Sequence, residues 1–257
     1  GTDMGNPFDL TGRKALVTGG ATGIGEGIAL GLAAAGADVA LTYRSHQPDD
    51  TLAKIKALGV KGAAVKADFS GMDEAAAEDL VSFASDALGG LDILVNNAGI
   101  IHREDSTDMP LEDWRRVLSV NLDSVWLLSQ AVGKRMVAQG SGKIIIVSSV
   151  LASQGGLRVP AYVSSKHAVL GLAKALCNEW APHSVNVNSI APGYTATDNT
   201  QALRDDPDRS KALLERIPAG RFADPSEIAG AAVFLASDAA NYCHGSVVTV
   251  DGGWLAR

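Results

Sequence analysis

The sequence predicts an α/β protein in which seven parallel strands form one doubly wound sheet with helices on both faces. Short apolar runs alternate with segments of helical periodicity along the chain, and glycine-containing loops join them without a repeat or a break in composition. Polar or glycine-rich motifs follow the apolar runs, and ligands bind beyond the carboxyl ends of strands in such sheets. We therefore expect one domain over residues 4–257, with Gly1-Thr2-Asp3 as a remnant of cloning.

The composition excludes several other classes of protein. The chain has 257 residues, of which 46% are hydrophobic, enough for one large core. A net charge of -7 argues against nucleic acid as a partner, and no apolar run approaches the roughly 18 residues that a membrane span needs. Cys177 and Cys243 are too few for a disulfide framework. We expect a soluble cytoplasmic protein that binds neither nucleic acid nor membrane.

The first strand, over residues 14–18, leads into a glycine loop and then a helix. Glycines occupy the pattern T-G-x-x-x-G-x-G, and Ile28 and Leu32 recur at helical spacing after it. Bare backbone and the unpaired N–H groups of a helix N-terminus can bind a pyrophosphate at such a corner. The spacing is not the usual G-x-G-x-x-G, so a tight turn without a ligand is the alternative. The predicted cofactor contacts in this loop are Gly19, Thr22, Gly23, Ile24 and Gly25.

The second and third strands, over residues 38–42 and 62–66, indicate which cofactor binds. A carboxylate at the end of the second strand holds the adenosine ribose in such folds, whereas an arginine accommodates a 2′-phosphate. This chain has Tyr43 and Arg44 there, which favours NADP over NAD; a solvated surface arginine is the alternative. Asp68, which precedes Phe69, follows the third strand and either contacts the adenine or caps the next helix.

Asparagines mark two positions in the middle of the chain. The fourth strand, over residues 91–95, ends at Asn96-Asn97-Ala98-Gly99, which either walls the cofactor cleft or forms an ordinary turn. Helical periodicity then runs over residues 111–139 and is interrupted by Asn121. Because asparagine competes for backbone hydrogen bonds, Asn121 indicates a local kink that binds water, with a plain exposed position as the alternative.

The fifth strand ends at Ser148 and Ser149 and precedes a helix with a candidate proton-transfer group. Pro160 is placed to begin that helix. Tyr162 and Lys166 are four residues apart and therefore lie on one side of it. Because a lysine ammonium favours the phenolate, we expect the pKa of Tyr162 to lie below its usual value of about 10. Such a tyrosine exchanges protons near neutral pH, although Y-x-x-x-K alone also occurs by chance.

The last part of the chain predicts two more strands and a flap. Residues 184–190 form the sixth strand, which precedes Pro192 and Gly193, and residues 245–250 form the seventh. Residues 198–216 are polar, charged and weakly helical, which is typical of a mobile flap beside a site or of a solvated surface excursion.

The histidines predict no metal site. They are scattered and lack partners at i,i+4 or facing positions. His102, beside Arg103, is the one expected near the cleft, where it could touch a substrate. The five are His46, His102, His167, His183 and His244.

Together these motifs resemble those of the short-chain dehydrogenases/reductases over nearly the whole chain. The resemblance implies a Rossmann-type fold, an NAD(P)-dependent oxidoreductase and a homotetramer. It gives Tyr162 the role of general acid/base, and Lys166 that of lowering its pKa and holding the nicotinamide ribose. It also implies that Ser149 bonds the substrate oxygen and that Asn121 anchors a water molecule linked to Lys166. The further cofactor contacts that it implies are Asn97, Ala98, Gly99, Tyr162, Lys166, Pro192, Gly193, Thr195 and Thr197.

A narrower resemblance concerns the substrate. Stretches such as Arg216-Ile217-Pro218-Ala219-Gly220-Arg221 are similar to those of the 2-deoxy-D-gluconate 3-dehydrogenase group, also called 2-dehydro-3-deoxy-D-gluconate 5-dehydrogenase, which acts on sugar acids. Arginine forks bind carboxylates, which suits Arg103 and Arg158. That group tends to favour NAD, so NAD and NADP both stay open. The expected substrate contacts are Arg103, Ser149, Gln154, Arg158 and Asn199, with Thr200 as a further hydroxyl partner.

Two alternatives stay open at this point. One is a 3-oxoacyl carrier-protein reductase or a glucose-type sugar dehydrogenase on the same scaffold. A carrier-protein reductase should present a basic docking patch, against which the net charge of -7 argues. The other is a nucleotide-binding relative without turnover, which would have lost part of the catalytic set. All four predicted catalytic residues are present: Asn121, Ser149, Tyr162 and Lys166.

Overall fold

Seven strands form one parallel sheet in the computed structural model, which describes residues 5–257. They are β1 (Lys14–Val17), β2 (Asp38–Tyr43), β3 (Gly62–Lys66), β4 (Ile93–Asn96), β5 (Gly142–Val147), β6 (Val185–Pro192) and β7 (Val247–Val250). Their order across the sheet is β3-β2-β1-β4-β5-β6-β7. The predicted seven-stranded parallel sheet is therefore confirmed, whereas the predicted cloning remnant lies outside the described residues.

Helices cover both faces of this sheet. They are α1 (Gly23–Ala34), α2 (Asp49–Ala57), α3 (Glu74–Leu88), α4 (Leu111–Leu118), α5 (Ser124–Gln139), α6 (Pro160–Trp180), α7 (Gln201–Asp205), α8 (Pro207–Arg216) and α9 (Ala229–Ala236). Helices α3, α5 and α6 pack on the face that includes Leu16 and Leu94, and α1 and α9 on the face that includes Val17 and Val95. Neighbouring strand residues serve opposite layers because side chains alternate along a strand. Within residues 5–257, none of the helices has the length and apolar character that crossing a bilayer requires.

The strand order reverses beside β1, and this places the cleft. The chain moves from β1 to β2 and β3 on one side, then crosses back to β4 on the other. Val17 pairs with Val95, so β1 and β4 end side by side, at Val17 and Asn96. A crevice at such a reversal is the usual ligand site of an open α/β sheet.

Two local features near β3 differ from the sequence analysis. Helix α2 was not predicted, because only Thr51 and Ile55 of it are buried, too few for a clear apolar period. Asp68 does not cap α3: the carboxylate of Asp73 does so, accepting the backbone N–H of Ala76 at 2.8 Å. Asp68 instead accepts the N–H of Ser70 at 2.9 Å and stays at the end of β3.

The predicted long helix is interrupted by a π-helical turn, Ser119–Asp123, between α4 and α5. Such turns insert extra backbone into a helix and are frequent at functional sites. Asn121 lies within it and is 1% exposed. The predicted interruption of the helix at Asn121 is therefore confirmed, and the alternative of a plain exposed asparagine is wrong.

The predicted flap contains regular helices. Residues 198–216 include α7 and α8, which together account for most of the segment. Leu213 and Ile217 pack with Val150 and Trp254 in a small separate apolar cluster. Trp254, near the end of the chain, thus packs together with the C-terminal part of α8 and the loop that follows β5.

Candidate active site

A long cleft lies beyond the carboxyl ends of β1, β2 and β4 and has a volume of about 620 Å³. The structure also places there residues that were not expected to contact the cofactor, among them Ser45, His46, Ser70 and Arg116. The first three lie in the loops just beyond β2 and β3, a signal that could have been used, whereas Arg116 enters from α4. The predicted cofactor residues that line the cleft are Gly19, Thr22, Gly23, Ile24, Tyr43, Arg44, Asp68, Phe69, Asn97, Ala98, Gly99, Tyr162, Lys166 and Thr197.

Hydroxyls and an amide hold the glycine loop against the neighbouring strand ends. The Thr18 hydroxyl accepts the N–H groups of Asn97 and Ala98, each at 2.9 Å. The Asn97 amide in turn donates to the Gly19 carbonyl at 3.2 Å, and the Gly19 N–H donates to the Thr42 hydroxyl at 2.8 Å. The Asn97-Ala98-Gly99 segment is therefore a wall of the cleft and a brace for the loop.

The cleft fits a nicotinamide dinucleotide. Gly19 and Gly23 have φ of +61° and +56°, a conformation that exposes backbone to the cleft and that other residues rarely adopt. Helix α1 begins there, and Thr22, at its N-cap, makes no side-chain capping bond. Unpaired N–H groups at a helix start suit a pyrophosphate. The buried Ser148 hydroxyl in the same cleft has no hydrogen-bond partner among residues 5–257, so it can accept a bond from a bound ligand or donate one.

Four predicted cofactor residues lie outside this cleft. Gly25 is buried in α1, where a Cβ atom would overlap the Gly19 carbonyl oxygen. It therefore allows close packing of the helix on the loop. Pro192 ends β6, Gly193 lines a neighbouring pocket, and Thr195 is 2% exposed and donates to the Gly193 carbonyl at 3.1 Å. These three shape the turn after β6.

Tyr162 and Lys166 face the cleft from the first turns of α6, which begins at Pro160 as predicted. The Lys166 ammonium lies 5.5 Å from the centre of the Tyr162 ring and donates to the Val147 carbonyl at 3.1 Å. Ser149 extends from the end of β5 toward the same tyrosine, and its hydroxyl accepts the Leu151 N–H at 3.1 Å. The end of β5 thus meets the start of α6 at these side chains.

Asn121 connects the π-helical turn to this group. Its amide oxygen accepts the Ile100 N–H, and its amide nitrogen donates to the Ile100 carbonyl, both at 2.9 Å. The amide nitrogen also donates to the Ser165 hydroxyl at 3.2 Å, which donates to the Tyr162 carbonyl at 2.7 Å. Both amide hydrogens are therefore used within the protein. The predicted role of Asn121 in anchoring water stays a prediction.

The predicted direction of the Tyr162 pKa shift is wrong. Burial raises the pKa of Tyr162 above its ordinary value of 10.0, and the Ser149 hydroxyl and the charge of Arg103 only partly oppose this. Burial also lowers the pKa of Lys166 to about 8. A buried site disfavours both the phenolate and the ammonium. Tyr162 is consequently a neutral phenol at pH 7.

A second, smaller pocket of about 130 Å³ is also lined by Tyr162 and includes residues that were expected to contact the substrate. Of the residues expected to contact the substrate, the structure places Arg103, Ser149, Asn199 and Thr200 there. The other residues that line the pocket were not named as substrate contacts; they are Ile101, Val150, Leu151, Gly156, Leu157, Val159, Gly193, Tyr194, Leu203 and Arg209.

Gln154 and Arg158 do not line this pocket, because other residues bind their side chains. The Gln154 amide oxygen accepts the indole N–H of Trp254 at 2.8 Å. The Arg158 side chain donates to Asp105 at 2.8 Å, and its carbonyl accepts the Glu104 N–H at 2.9 Å. Arg158 has φ of 64°, a strained conformation for a residue with a side chain. Both residues therefore tie loops together.

His102 has facing partners that the sequence analysis did not expect. Its Nε2 atom lies 3.1 Å from a carboxylate oxygen of Glu104 and 3.7 Å from one of Asp113. The three groups are close enough together to surround a cation. An ordinary histidine–carboxylate pair has the same geometry, so the absence of a metal stays a prediction.

Comparison with known proteins decides the family. The family model described as enoyl-(acyl carrier protein) reductase, one of the short-chain dehydrogenase/reductase models, matches residues 19–255. The chain belongs to the short-chain dehydrogenase/reductase family. A 2-dehydro-3-deoxy-D-gluconate 5-dehydrogenase of Dickeya dadantii (strain 3937) is 50% identical to it over 253 residues, which cover 98% of this chain and 99% of that protein.

Solved structures of this family have the same fold. A candidate 2-deoxy-D-gluconate 3-dehydrogenase of Agrobacterium tumefaciens, crystallised with bound NADP, has a TM-score of 0.91 and 55% identity, covering 98% of this chain and 100% of that one. A gluconate 5-dehydrogenase of Burkholderia cenocepacia J2315, in complex with NADP and tartrate, has a TM-score of 0.91 and 36% identity, with 98% of each chain covered. The predicted NAD(P)-dependent dehydrogenase/reductase is thereby confirmed, and the alternative of a relative without turnover is set aside.

Proposed function

We propose that this short-chain dehydrogenase/reductase moves a hydride between NADP and a hydroxyl or keto carbon of a sugar acid, of the 2-deoxy-D-gluconate or 2-dehydro-3-deoxy-D-gluconate type. The observation that supports it best is Tyr162, which lines both the dinucleotide cleft and the smaller pocket that contains Arg103. A proton donor between a cofactor site and a cationic pocket suits an acidic substrate. Half of the aligned residues are identical to those of a sugar-acid dehydrogenase over nearly the whole chain.

The bound nicotinamide would supply or accept the hydride. Ser149 would donate a hydrogen bond to the substrate oxygen, and Tyr162 would give that oxygen a proton during reduction or take one during oxidation. Because burial raises the pKa of Tyr162, its neutral form is the proton donor that reduction of a keto group needs. Lys166 would hold the nicotinamide ribose beside this tyrosine. Burial of the site keeps competing water away from the reacting oxygen.

The end of β2 supports NADP over NAD. Tyr43, Arg44, Ser45 and His46 line the cleft there, and no carboxylate stands among them. Arg44 has no ion-pair partner within the described part of the chain, so its guanidinium is available to a 2′-phosphate. Replacing it by Arg44→Asp should weaken NADPH binding by about ten- to hundredfold and leave NADH binding equal or better. Arg135→Met, at an arginine paired with Glu78, is the control.

A substrate panel tests the proposed function. Initial rates are measured in both directions, with NAD and NADP, for sugar acids, neutral sugars, simple ketones and a 3-oxoacyl thioester. The proposal expects the highest kcat/KM for a sugar acid with NADP(H). Preference for the thioester or for a neutral sugar would contradict it.

The description of the matching family model favours a second candidate, a carrier-protein-linked reductase. Carrier proteins are acidic and need a basic docking surface, whereas this chain has a net charge of -7. The 2-dehydro-3-deoxy-D-gluconate 5-dehydrogenase covers nearly the whole chain at 50% identity. We therefore rank the sugar acid first.

We also propose a homotetrameric cytoplasmic enzyme with one domain over residues 4–257. Helix α5 exposes Trp126 by 40%, the edge strand β7 exposes Val247 by 41%, and Tyr242 is fully exposed. Apolar side chains of this size at two separate surfaces support contacts between identical subunits. The free cysteines Cys177 and Cys243 support a reducing compartment.

A further inference from the structure

Two arginines from distant segments line the small pocket beside Tyr162. Arg103 lies in the loop after β4, and Arg209 lies in the first turn of α8. Arg103 was expected at the substrate but Arg209 was not, because the sequence of residues 198–216 does not show which of their charges faces the site. Among the residues that line this pocket there is no aspartate or glutamate. The pocket is therefore positively charged in a chain whose net charge is -7.

Four other arginines in the second half of the sequence have partners within the protein. Arg158 pairs with Asp105 at 2.8 Å, and Arg221 pairs with Glu227 at 2.6 Å. Arg204 donates to the Thr197 carbonyl at 2.9 Å and to a neighbouring glutamine. The Arg216 guanidinium lies 3.9 Å from the centre of the Trp254 ring. These contacts within the protein are enough to explain where those arginines lie, so no ligand is needed to explain them.

Arg103 and Arg209 lack such partners. In residues 5–257, neither forms an ion pair within 4.0 Å. The Arg103 guanidinium makes one hydrogen bond, to the Asn199 carbonyl at 3.3 Å, and the Arg209 guanidinium makes none to the described residues. Two such forks in one pocket leave most of their N–H donors available to an anion.

We infer that Arg209, together with Arg103, binds the carboxylate of the substrate and that this contact selects sugar acids over neutral sugars. The inference rests on the proposed function, because it assigns the acidic end of the substrate to the pocket next to Tyr162. A guanidinium fork matches a carboxylate in shape and charge. Leu213, one turn further along α8, packs with Val150 and Trp254, which fixes the helix that carries Arg209.

The test compares Arg209→Met and Arg209→Lys with Lys211→Met. Lys211 lies on the same helix, is 77% exposed and does not line the pocket, so its variant removes the same charge without the proposed contact. The substrates are a sugar acid that the wild type turns over and the primary amide of that acid. Calorimetric titration with D-gluconate in the presence of NADPH, which cannot accept a hydride from it, reports binding separately from turnover.

Arg209→Met should raise KM for the acid about ten- to hundredfold with little change in kcat and little change for the amide. Arg209→Lys should recover part of this loss, and Lys211→Met should match the wild type. Equal effects on acid and amide, or an equal effect of Lys211→Met, would overturn the inference while leaving the proposed function intact. A wild type that neither binds D-gluconate nor turns over any sugar acid would overturn both.

Discussion

Tyr162 and Lys166 show how burial decides the chemistry of individual residues. Their spacing predicts a shared helix side, and the structure places the ammonium 5.5 Å from the tyrosine ring. The same burial raises the pKa of Tyr162 and lowers that of Lys166 to about 8. A sequence shows the neighbours of a residue along a helix but not the amount of water around it. That is why the contact was predictable and the direction of the pKa shift was not.

The first prediction concerns the stability cost of the buried lysine. Below pH 8 the folded protein holds Lys166 as a buried ammonium. Between pH 8 and 10.5 the unfolded chain keeps this proton, whereas the folded protein releases it. The free energy of unfolding therefore rises with pH in this range. Lys166→Met should therefore be more stable than the wild type at pH 7 by about 2 kcal/mol, after allowing for the lost bond to Val147. The gain should shrink toward pH 10.5, and turnover should be lost.

Urea unfolding at pH 7 and pH 10 measures this difference. Lys174→Met, on the exposed side of the same helix, is the control for changing a lysine in α6. A Lys166→Met variant that is less stable at pH 7, or whose gain grows with pH, would contradict the account.

At the scale of elements, the π-helical turn is the feature that links fold to site. The periodicity predicts one helix over residues 111–139, and Asn121 alone indicates that it is interrupted. The turn places Asn121 so that its amide bonds Ile100 on one side and Ser165 on the other. Ser165 donates a hydrogen bond to the backbone carbonyl of Tyr162. The π-helical turn is therefore connected to Tyr162, the proposed proton donor, through Ser165.

The second prediction tests this link with a double-mutant cycle. Asn121→Ala leaves part-buried backbone groups of Ile100 without partners, at a cost of about 1–3 kcal/mol in the free energy of unfolding, and should lower kcat. Ser165→Ala should lower kcat less. If Asn121 acts on Tyr162 through Ser165, the effects on kcat in the double variant should fall well short of additivity. Additive effects on kcat would show that the two residues act independently.

Element boundaries with local signals were predictable, whereas contacts between residues remote in sequence were not. Pro160 begins α6 and residues 62–66 form β3, as predicted, because a proline and a strand between turns leave clear local signals. Gln154 and Arg158 were expected at the substrate, but their partners are remote in sequence. The indole of Trp254 is 100 positions from Gln154, and Asp105 is 53 positions from Arg158. Arg209 was missed because nothing local in residues 198–216 shows which of their charges faces the pocket.

At the scale of the whole molecule, the end of the chain packs against a residue that lines the proposed substrate pocket. Trp254 is 3% exposed, lies 4.9 Å from Tyr194 between ring centres and donates to Gln154. Its ring also contacts the Arg216 guanidinium at the end of α8. Tyr194 lines the pocket and Arg209 lies on α8, so Trp254 positions both sides of the proposed substrate site.

The third prediction is that Trp254 affects substrate binding more than the chemical step. Trp254→Ala should raise KM for a sugar acid about tenfold and lower the free energy of unfolding by about 3 kcal/mol, because it leaves a cavity in a buried cluster. Trp254→Phe retains the ring and loses the bond to Gln154, so it should recover most of the stability. Steady-state kinetics and urea unfolding of both variants give the answer. A loss of kcat at unchanged KM would contradict a positioning role.

The overall architecture was predictable because many weak signals agreed. Seven apolar runs, each followed by a polar or glycine-rich motif, predict one parallel sheet with its ligands at one edge, and the sheet has that form. The division of this edge into a dinucleotide cleft and a smaller pocket, the proposed substrate site, depends on how the side chains of α8 pack, which no local pattern encodes.

The central claim is that Tyr162 exchanges a proton with a sugar acid held beside NADP. The most direct test is kcat of Tyr162→Phe against that of the wild type for the best sugar acid in the panel, with NADPH binding measured by fluorescence titration. The account predicts a kcat lower by about 10²- to 10⁴-fold with nearly unchanged NADPH affinity. A variant that binds NADPH normally and keeps a comparable kcat would contradict it.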